Sequence, residues 1–479
     1  MKRRDFNRFA LGIGLSPILA NAQLVGQSEA LAQEPRRDGI LELDDIQLIT
    51  LTRVPAITGR YEFLSFRDPA QGRAWLAGIL DKVASAKEAS ASIEQERRWI
   101  SVAFTWAGLG ALGVDEASLA TFPEEFRQGM VARAQMLGDI GLNHPDRWIG
   151  GLASPRLHAV AILFARDVPE RQRTTREHQA YLARTPGVEV LSSLDLEATP
   201  PFDYAHDHFG YRDRLSEPAI EGTGQVPTPG SGAPLKPGEF ILGYPDEQGP
   251  PANLPQPAIL SRNGSYMAYR RLEEHVGRFR EFLREHGEAP EGQELIAAKL
   301  MGRWRSGAPL VLAPDKDDPA LGADPQRNND FNYKEMDPHG YAVPLGSHIR
   351  RVNPRDTAAN INRRRMIRRG ATYGPHLPEN APEDGVERGI AAFVICASLV
   401  RQFEFAQNVW INDRNFHELG NEHDPIIGTQ DGTLEFKIPK RPIRKKITGL
   451  PAFTTLKGGG YFFLPGLKAL RYLATLDGG

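Results

Sequence analysis

Residues 347–375 read SHIRRVNPRDTAANINRRRMIRRGATYGP. One histidine, His348, opens the run, and arginine crowds everything after it. Arg368 and Arg369 lie between an apolar pair, Met366 and Ile367, and Gly370, which reads as a glycine turn. Imidazole is the commonest side-chain metal ligand, and a neutral imidazole is a standard axial ligand to the iron of a porphyrin. Nearby guanidinium groups would neutralise the porphyrin's two propionates and stabilise an anion on the metal's open side. On residue types alone, the same stretch also fits a solvated basic loop carrying an ordinary histidine.

Three further blocks lie around it: HFGYRDRLSEPAIEG at 208–222, ELIAAKLMGRWRSGAP at 294–309 and GIAAFVICASLVRQFEFAQNVWIND at 389–413. The order of these segments, with HIR, NPR and MIRRG following one another in the opening stretch, resembles the dye-decolorizing peroxidases. That family's ligand segment runs HIR, NPR, ILRRG and an aromatic-rich turn, and its GxxDG segment continues into SxP. A lone GxxDG is weak, whereas the sequence of blocks is specific and spans most of the second half and the end of the first. One position departs from the pattern. Arg214 stands where the motif has its second glycine, so either the turn does not need a positive φ, or the segment is displaced and the distal geometry with it.

The resemblance implies an α+β fold of two ferredoxin-like domains packed through their sheets, a dimeric α/β-barrel type, with haem b (iron protoporphyrin IX) held mainly by the second. It implies a peroxidase that uses hydrogen peroxide to oxidise dyes, phenols or similar one-electron donors. His348 becomes the iron ligand, Asp213 the group that moves the peroxide proton, and Arg368 the cation that stabilises charge as the O–O bond breaks. By position, Arg214, Leu215, Ser216, Asn353, Pro354, Arg355 and Arg368 line the haem, with Arg355 meeting a propionate. A ligand histidine needs an acceptor on its other nitrogen, for which Glu404 and Asp413 are the candidates. With so strong an acid as base, activity should favour acidic pH. The runner-up is a haem-handling or haem-sensing protein on the same scaffold with little turnover, and Arg214 is the feature favouring it.

Composition sets outer bounds. The chain has 479 residues, 41% hydrophobic and 25% charged, with a formal net charge of −2, so nothing electrostatic points to nucleic acid or to an anionic membrane. The single cysteine, Cys396, lies in the apolar run AAFVICASLV and reads as a small buried hydrophobe. No later stretch is long and apolar enough for stable membrane insertion. At the N-terminus, Lys2, Arg3 and Arg4 precede Phe6 and Arg8, then the apolar run FALGIGLSPILA and small residues. This is the layout of an export signal, and the paired arginines look like a twin-arginine signal. Residues 1–32 are therefore expected to be a signal, and the protein periplasmic or extracellular, with a cytoplasmic location as the alternative. Folding before export suits a protein that takes up its cofactor in the cytoplasm. A homo-oligomer is compatible with the chain.

In order along the chain, Asp45–Thr52 (DIQLITLT) alternates like a strand and Ala74–Ala86 has helical spacing. Strands follow at 98–108, 158–164 and 188–194, with helical stretches at 122–138 and 169–184 between them. That alternation fits the split β-α-β layout called ferredoxin-like. The Gly/Pro/Ser/Thr-rich stretch 221–239 reads as a linker, which gives an N-terminal domain at 40–225 and a C-terminal, haem-binding domain at 236–479. The second half offers a strand at 263–272, helices at 275–286 and 295–305, a strand at 389–399, a helix at 400–411 and a last strand at 459–464. The polar, irregular stretch 314–341 is long enough to shape a functional rim.

Weaker features were read blandly. GTQDG at 428–432 is a turn, and His206-Asp207-His208 is a polar loop sooner than a metal site. Trp304, Tyr373, Trp410 and Tyr461 are core residues first and electron relays second.

Overall fold

Strand-forming residues recur as TGRYEFLSF, RWISVAF and AVAILFA, and the fold is built from how these runs pair. The computed structural model describes residues 41–87, 96–197, 206–250 and 254–476; the expected signal at 1–32 lies outside them. In the first half the chain forms β1 (Thr58–Phe66), α1 (Pro69–Ile79), β2 (Arg98–Phe104), β3 (Ala159–Ala165), α2 (Val168–Leu182) and β4 (Val188–Glu197). Both helices open on an aspartate that accepts an amide hydrogen bond, Asp68 from Gln71 at 2.9 Å and Asp167 from Glu170 at 2.8 Å, with proline in the first turn. Such caps satisfy amide donors that a helix start leaves open.

The second half forms β5 (Ser265–Glu274), α3 (Val276–His286), α4 (Pro290–Met301), α5 (His348–Val352), β6 (Ile367–Tyr373) and β7 (Gly389–Cys396). Two turns of wide, π-type helix follow at Leu399–Glu404 and Ala406–Ile411, then a small hairpin, β8 (Glu435–Ile438) with β9 (Lys445–Thr448), and finally β10 (Thr454–Leu464).

The eight long strands make one antiparallel sheet in the order β4-β1-β3-β2-β10-β5-β7-β6. Each half places its fourth strand beside its first, then its third, then its second, which is the ferredoxin-like order expected from the sequence. The halves join edge to edge where Phe463 of β10 pairs with Phe104 of β2. The far edges also meet: Thr372 of β6 donates its hydroxyl to the Glu197 carbonyl of β4 at 3.1 Å. The sheet thus curls toward a barrel, which removes the exposed edges an open sheet would leave.

The barrel interior is aromatic and draws on both halves. Tyr61 of β1 stands edge-on to Tyr269 of β5 at 6.0 Å and to Phe393 of β7 at 5.0 Å, and all three are fully buried. Burying each such ring stabilises the fold by about 1.5–3 kcal/mol, so this cluster fixes one half against the other. A second apolar layer packs the helices on the outside around Trp75, Leu76, Phe122 and Phe126.

Two expected elements are different in the structure. Asp45–Thr52 is not a strand: Leu48–Leu51 form one helical turn whose four residues are all buried. The segment alternates, but it is held on both sides, with Gln47 donating to the carbonyls of Val102 (2.9 Å) and Pro465 (2.8 Å). The first strand is instead Thr58–Phe66. Gly370 is not a turn either. It lies mid-strand in β6 opposite Ala392, where an added Cβ would come within 2.6 Å of the Ala392 Cβ; glycine is there because two backbones approach closely.

Candidate active site

Four separate segments supply the site, three of them carrying side chains singled out in the sequence (Asp213, Arg368 and His348) and the fourth carrying Asp424, which was not. Asp213 follows β4 on a long connection, Arg368 is the second residue of β6, His348 opens α5, and Asp424 lies between the π-type helix and β8. Arg368 Nη2 donates to Asp213 Oδ1 at 2.7 Å across 155 residues of chain. Burial raises the Asp213 carboxyl, but the Arg368 and Arg53 guanidiniums and the Arg214 amide outweigh it and hold the group at about 2. The partner responds in kind, the Arg368 guanidinium being raised chiefly by Asp213. Both side chains remain about half exposed, 44% for Asp213 and 55% for Arg368.

On the other segment, His348 Nδ1 lies 2.9 Å from Asp424 Oδ2. Asp424 is fully buried, and its Oδ1 accepts the amides of Ile426 (2.9 Å) and Ile427 (3.0 Å). Burial raises this carboxyl, and the His348 ring with the two amides brings it below its ordinary value. An ionised acceptor on Nδ1 makes that nitrogen the donor and leaves Nε2 as the basic atom. Nε2 has no hydrogen-bond partner among the described residues. The acceptor is thus neither Glu404 nor Asp413. Glu404 is engaged by Arg133 (2.6 Å from Nη2) and the Tyr461 hydroxyl (2.8 Å), and the Asp413 carboxylate accepts the Asn415 amide at 2.9 Å.

Residues 302–307 tie the two pairs together. Ile349, next to His348, packs on Gly302, where an added Cβ would lie 2.4 Å from its Cγ1. Leu215, two residues after Asp213, packs on Gly307, where the corresponding distance to its Cδ1 is 2.8 Å. Both glycines have φ near +98°, a conformation that other residues adopt only with strain. Arg212 adds an amide bond to the Arg305 carbonyl at 3.1 Å.

Arg214 resolves the question raised by its replacement of glycine. Its φ is +69°, so the turn does need the left-handed conformation, and the arginine adopts it while Asp213 still meets Arg368. The segment is not displaced.

Of the remaining residues expected to line a haem, Pro354 is buried, Ser216 is half-buried, and the Asn353 Oδ1 is buried with no partner among the described residues. Arg355 donates to the carbonyls of Gly230 (2.9 Å), Asn329 (3.2 Å) and Phe331 (2.8 Å) and stacks over the Phe331 ring at 3.7 Å. It therefore orders the irregular rim against the stretch expected to be a linker. Arg365 was not singled out beforehand. Burial, then the charge of Arg355, holds its guanidinium down at about 10, and among the described residues its side chain has no ion pair or hydrogen bond. Arg303 is depressed to the same extent by the same two influences. Three guanidiniums that feel one another's charge, Arg303 buried and Arg355 and Arg365 partly so, fit a ligand bearing carboxylates, and a histidine with a bare Nε2 fits one bearing a metal. The donor set therefore suits an iron porphyrin with propionates.

Trp304, Tyr373, Trp410 and Tyr461 are all buried, and each polar atom that is bonded stays inside: Trp304 to the Ala313 carbonyl (2.7 Å), Tyr373 to Glu387 (2.9 Å). His208 Nε2 meets the Tyr373 carbonyl at 2.9 Å. Among the described residues no group of three or more His, Cys, Asp or Glu could hold a metal ion, and no helix is long and apolar enough to cross a membrane. Cys396 is fully buried, and burial pushes its thiol up to about 12.

Comparison with known proteins gives a consistent picture. Residues 45–195 match the DyP dimeric alpha+beta barrel domain. A dye-decolorizing peroxidase of Mycena epipterygia is 31% identical, the match covering 91% of this chain and 88% of that protein. Another similar protein is the multifunctional dye peroxidase DyP2 of Amycolatopsis sp., 30% identical over 86% of this chain and 91% of its own length. Among solved structures, an ancestral D-type dye decolorizing peroxidase superposes with a TM-score of 0.81 at 28% identity, covering 91% of this chain and all (100%) of the other. A dye-decolorizing peroxidase in complex with 2,6-dimethoxyphenol gives 0.80 at 28% identity, with the same coverage.

Proposed function

This chain belongs to the dye-decolorizing peroxidase family, and from that premise we propose how its own residues carry out the chemistry. The protein is a peroxidase that oxidises dyes and phenols. The observation that carries the assignment of residues is the Asp213–Arg368 pair, formed by segments 155 residues apart with both side chains about half exposed.

His348 would hold the iron through Nε2, with Asp424 fixing the ring and raising its basicity as a ligand. Arg365, with Arg303 and Arg355 around it, would neutralise the propionates of a haem b. Bound there, the haem supplies the iron that exchanges electrons with hydrogen peroxide and with the reducing substrate. Asp213 is ionised at every working pH, since its carboxyl titrates at about 2. It takes a proton from peroxide on the lone pairs that Arg368 leaves open, and because its conjugate acid is strong it returns that proton readily to the departing oxygen. Arg368 keeps Asp213 charged and presents a guanidinium where negative charge grows as the O–O bond breaks.

The haem-sensing alternative drew on Arg214 in place of the motif glycine; the Asp213–Arg368 contact, made with Arg214 at φ +69°, supports the peroxidase reading over it. Peroxide-dependent oxidation of 2,6-dimethoxyphenol by the haem-loaded protein tests the reading. Asp213→Asn and Arg368→Leu should each slow the peroxide step by at least about 100-fold, the scale on which positioned proton transfer acts. Wild-type rates in both variants would refute the assignment. For the N-terminus we propose export by the twin-arginine route; replacing both Arg3 and Arg4 with lysine should leave the protein in the cytoplasm if that reading holds.

A further inference from the structure

His208 has no part in the chemistry described above, yet it is only 3% exposed. It stands in a tight hairpin, where His206 and Arg212 face each other as an antiparallel bridge and Asp207 Oδ1 accepts the Tyr211 amide at 2.7 Å. Asp213 is the next residue after that hairpin. One side of the turn is held by β5 and α3: Glu274 Oε2 accepts the His208 amide at 3.2 Å, and Phe209 packs on Phe279 with ring centres 4.7 Å apart.

The other side reaches β6. His208 Nε2 lies 2.9 Å from the carbonyl oxygen of Tyr373, the last residue of the strand whose second residue is Arg368. A carbonyl only accepts, so Nε2 carries the proton and the backbone it meets fixes the tautomer. Burial, opposed by that carbonyl and aided by the charges of Arg388 and His376, brings the ring down to about 4. It is therefore neutral at working pH.

The chain around the hairpin thus meets β6 at both ends, at Tyr373 through His208 and at Arg368 through Asp213. At the ordinary rise of a strand these contacts are about 17 Å apart. They are not equivalent. Asp213 and Arg368 are about half exposed, and a guanidinium on a flexible stem can follow a carboxylate that moves. Glu217, further on, is likewise met by a guanidinium, that of Arg369. His208 presents a short, rigid, buried ring to a backbone carbonyl, which does not swing with any side chain. Its contact therefore fixes how far along β6 the hairpin lies.

We infer that His208 is a positioning residue for the peroxide step, holding the 206–212 hairpin on the end of β6 so that Asp213 and Arg368 meet at the separation the reaction needs. That the pair acts on peroxide rests on the peroxidase reading; that His208 sets its geometry does not. A misplacement of about 1 Å costs on the order of 100-fold in rate at a site that works by positioning. Burial raises the Asp213 carboxyl against Arg368, the Arg214 amide and Arg53, with Asp207 a like charge nearby. A hairpin that drifts from β6 weakens the Arg368 contribution and lets the carboxyl rise from about 2.

The test is rapid mixing of the haem-loaded full chain with hydrogen peroxide across pH in three variants. His208→Phe keeps a ring and loses the donor, His208→Asn carries an amide too short to reach Tyr373, and His208→Gln puts an amide N–H where Nε2 stood. His208→Phe and His208→Asn should each slow the peroxide step by at least about tenfold and move its acid limb to higher pH. His208→Gln should restore most of the rate and the wild-type limb. In an Arg368→Leu background His208→Phe should add little, because residues that act through one pair are not additive. If His208→Phe does not fold, His208→Asn carries the same comparison. Hydrogen exchange over residues 206–213 needs no turnover: protection should fall in His208→Phe and His208→Asn and be kept in His208→Gln. Wild-type rates and limbs in the first two variants, equal impairment in all three, or full additivity with Arg368→Leu would each overturn the inference. A wild-type chain that does not react with peroxide, with the exchange pattern as expected, would count against the peroxidase reading alone.

Discussion

His348 Nδ1 and Asp424 Oδ2 lie 2.9 Å apart, joined across 76 residues of sequence. The aspartate is held in turn by the amides of Ile426 and Ile427, so the ring orientation traces back to a backbone turn. Asp424→Ala should loosen the ligand histidine and cost about 10–100-fold in haem retention, as loss of an outer partner does at other metal sites. The rate of haem transfer to a scavenging apoprotein measures it, and an unchanged rate would show that Asp424 only fills space. A pH effect follows. Burial raises the Asp424 carboxyl, but His348 and the amides leave it below its ordinary value. The pairing therefore stabilises the fold above the unfolded carboxyl's value of about 3.9 and is lost as pH falls through the lower folded value. Wild type should lose more stability than Asp424→Asn between about pH 4 and pH 2.

Arg368 governs where Asp213 titrates. With the guanidinium present the carboxyl sits at about 2, so it is ionised throughout the range from about pH 3 to pH 8 and gives the peroxide step no slope there. The acid limb attributable to this group falls near pH 2, and the acidic preference expected from the sequence is permitted on that ground. Without Arg368 the carboxyl loses its guanidinium partner and rises from about 2, with Arg53 and the Arg214 amide still opposing burial. The Arg368→Leu variant should then show its residual peroxide reaction falling off at a higher pH than wild type, as measured by rapid mixing across pH. An acid limb that stays at about 2 would mean that the pair is not coupled in solution.

Arg214 pays a conformational cost for its place. A non-glycine residue at φ +69° is strained by about 1 kcal/mol, so Arg214→Gly should raise unfolding stability by about that amount in denaturant titrations. A variant less stable than wild type would show that the arginine side chain contributes more than its backbone costs.

What the sequence disclosed followed from local physics. The helix at Val168–Leu182 has its aspartate cap beside it, the helix at Val276–His286 carries its apolar spacing, and β3 is a run of apolar residues with no competing reading. The Asp213–Arg368 pair was legible only as a familial order of motifs, since nothing in GYRD or MIRRG says that the two meet. Asp424 was missed because its role depends on a contact 76 residues away; the local hint was the Asp-Pro dipeptide at 424–425, a turn signal. Arg365 was hidden in a run of three arginines, and only packing separates the buried one lacking a partner from Arg363, which pairs with Asp246 at 3.3 Å. The strand assigned at 45–52 failed because alternation marks a half-buried strand, whereas Leu48–Leu51 are buried all round.

Glu404 separates a structural acid from the one behind the iron ligand. It is 3% exposed and sits between the Arg133 guanidinium and the Tyr461 hydroxyl, joining the first π-type turn to β10 and to the helical segment around Arg133. Removing it leaves the buried Tyr461 phenol without its acceptor and leaves the half-buried Arg133 with Gln128 Oε1 at 2.7 Å, at a cost of about 1–3 kcal/mol for the unsatisfied group. Glu404→Leu should therefore unfold at lower denaturant concentration than wild type, while the haem-loaded variant keeps the wild-type absorption spectrum and rate of haem transfer. Asp424→Ala should do the reverse and alter the spectrum. If Glu404→Leu moves the spectrum and Asp424→Ala does not, the acceptor behind His348 has been assigned to the wrong carboxylate, and with it the origin of the ring's orientation.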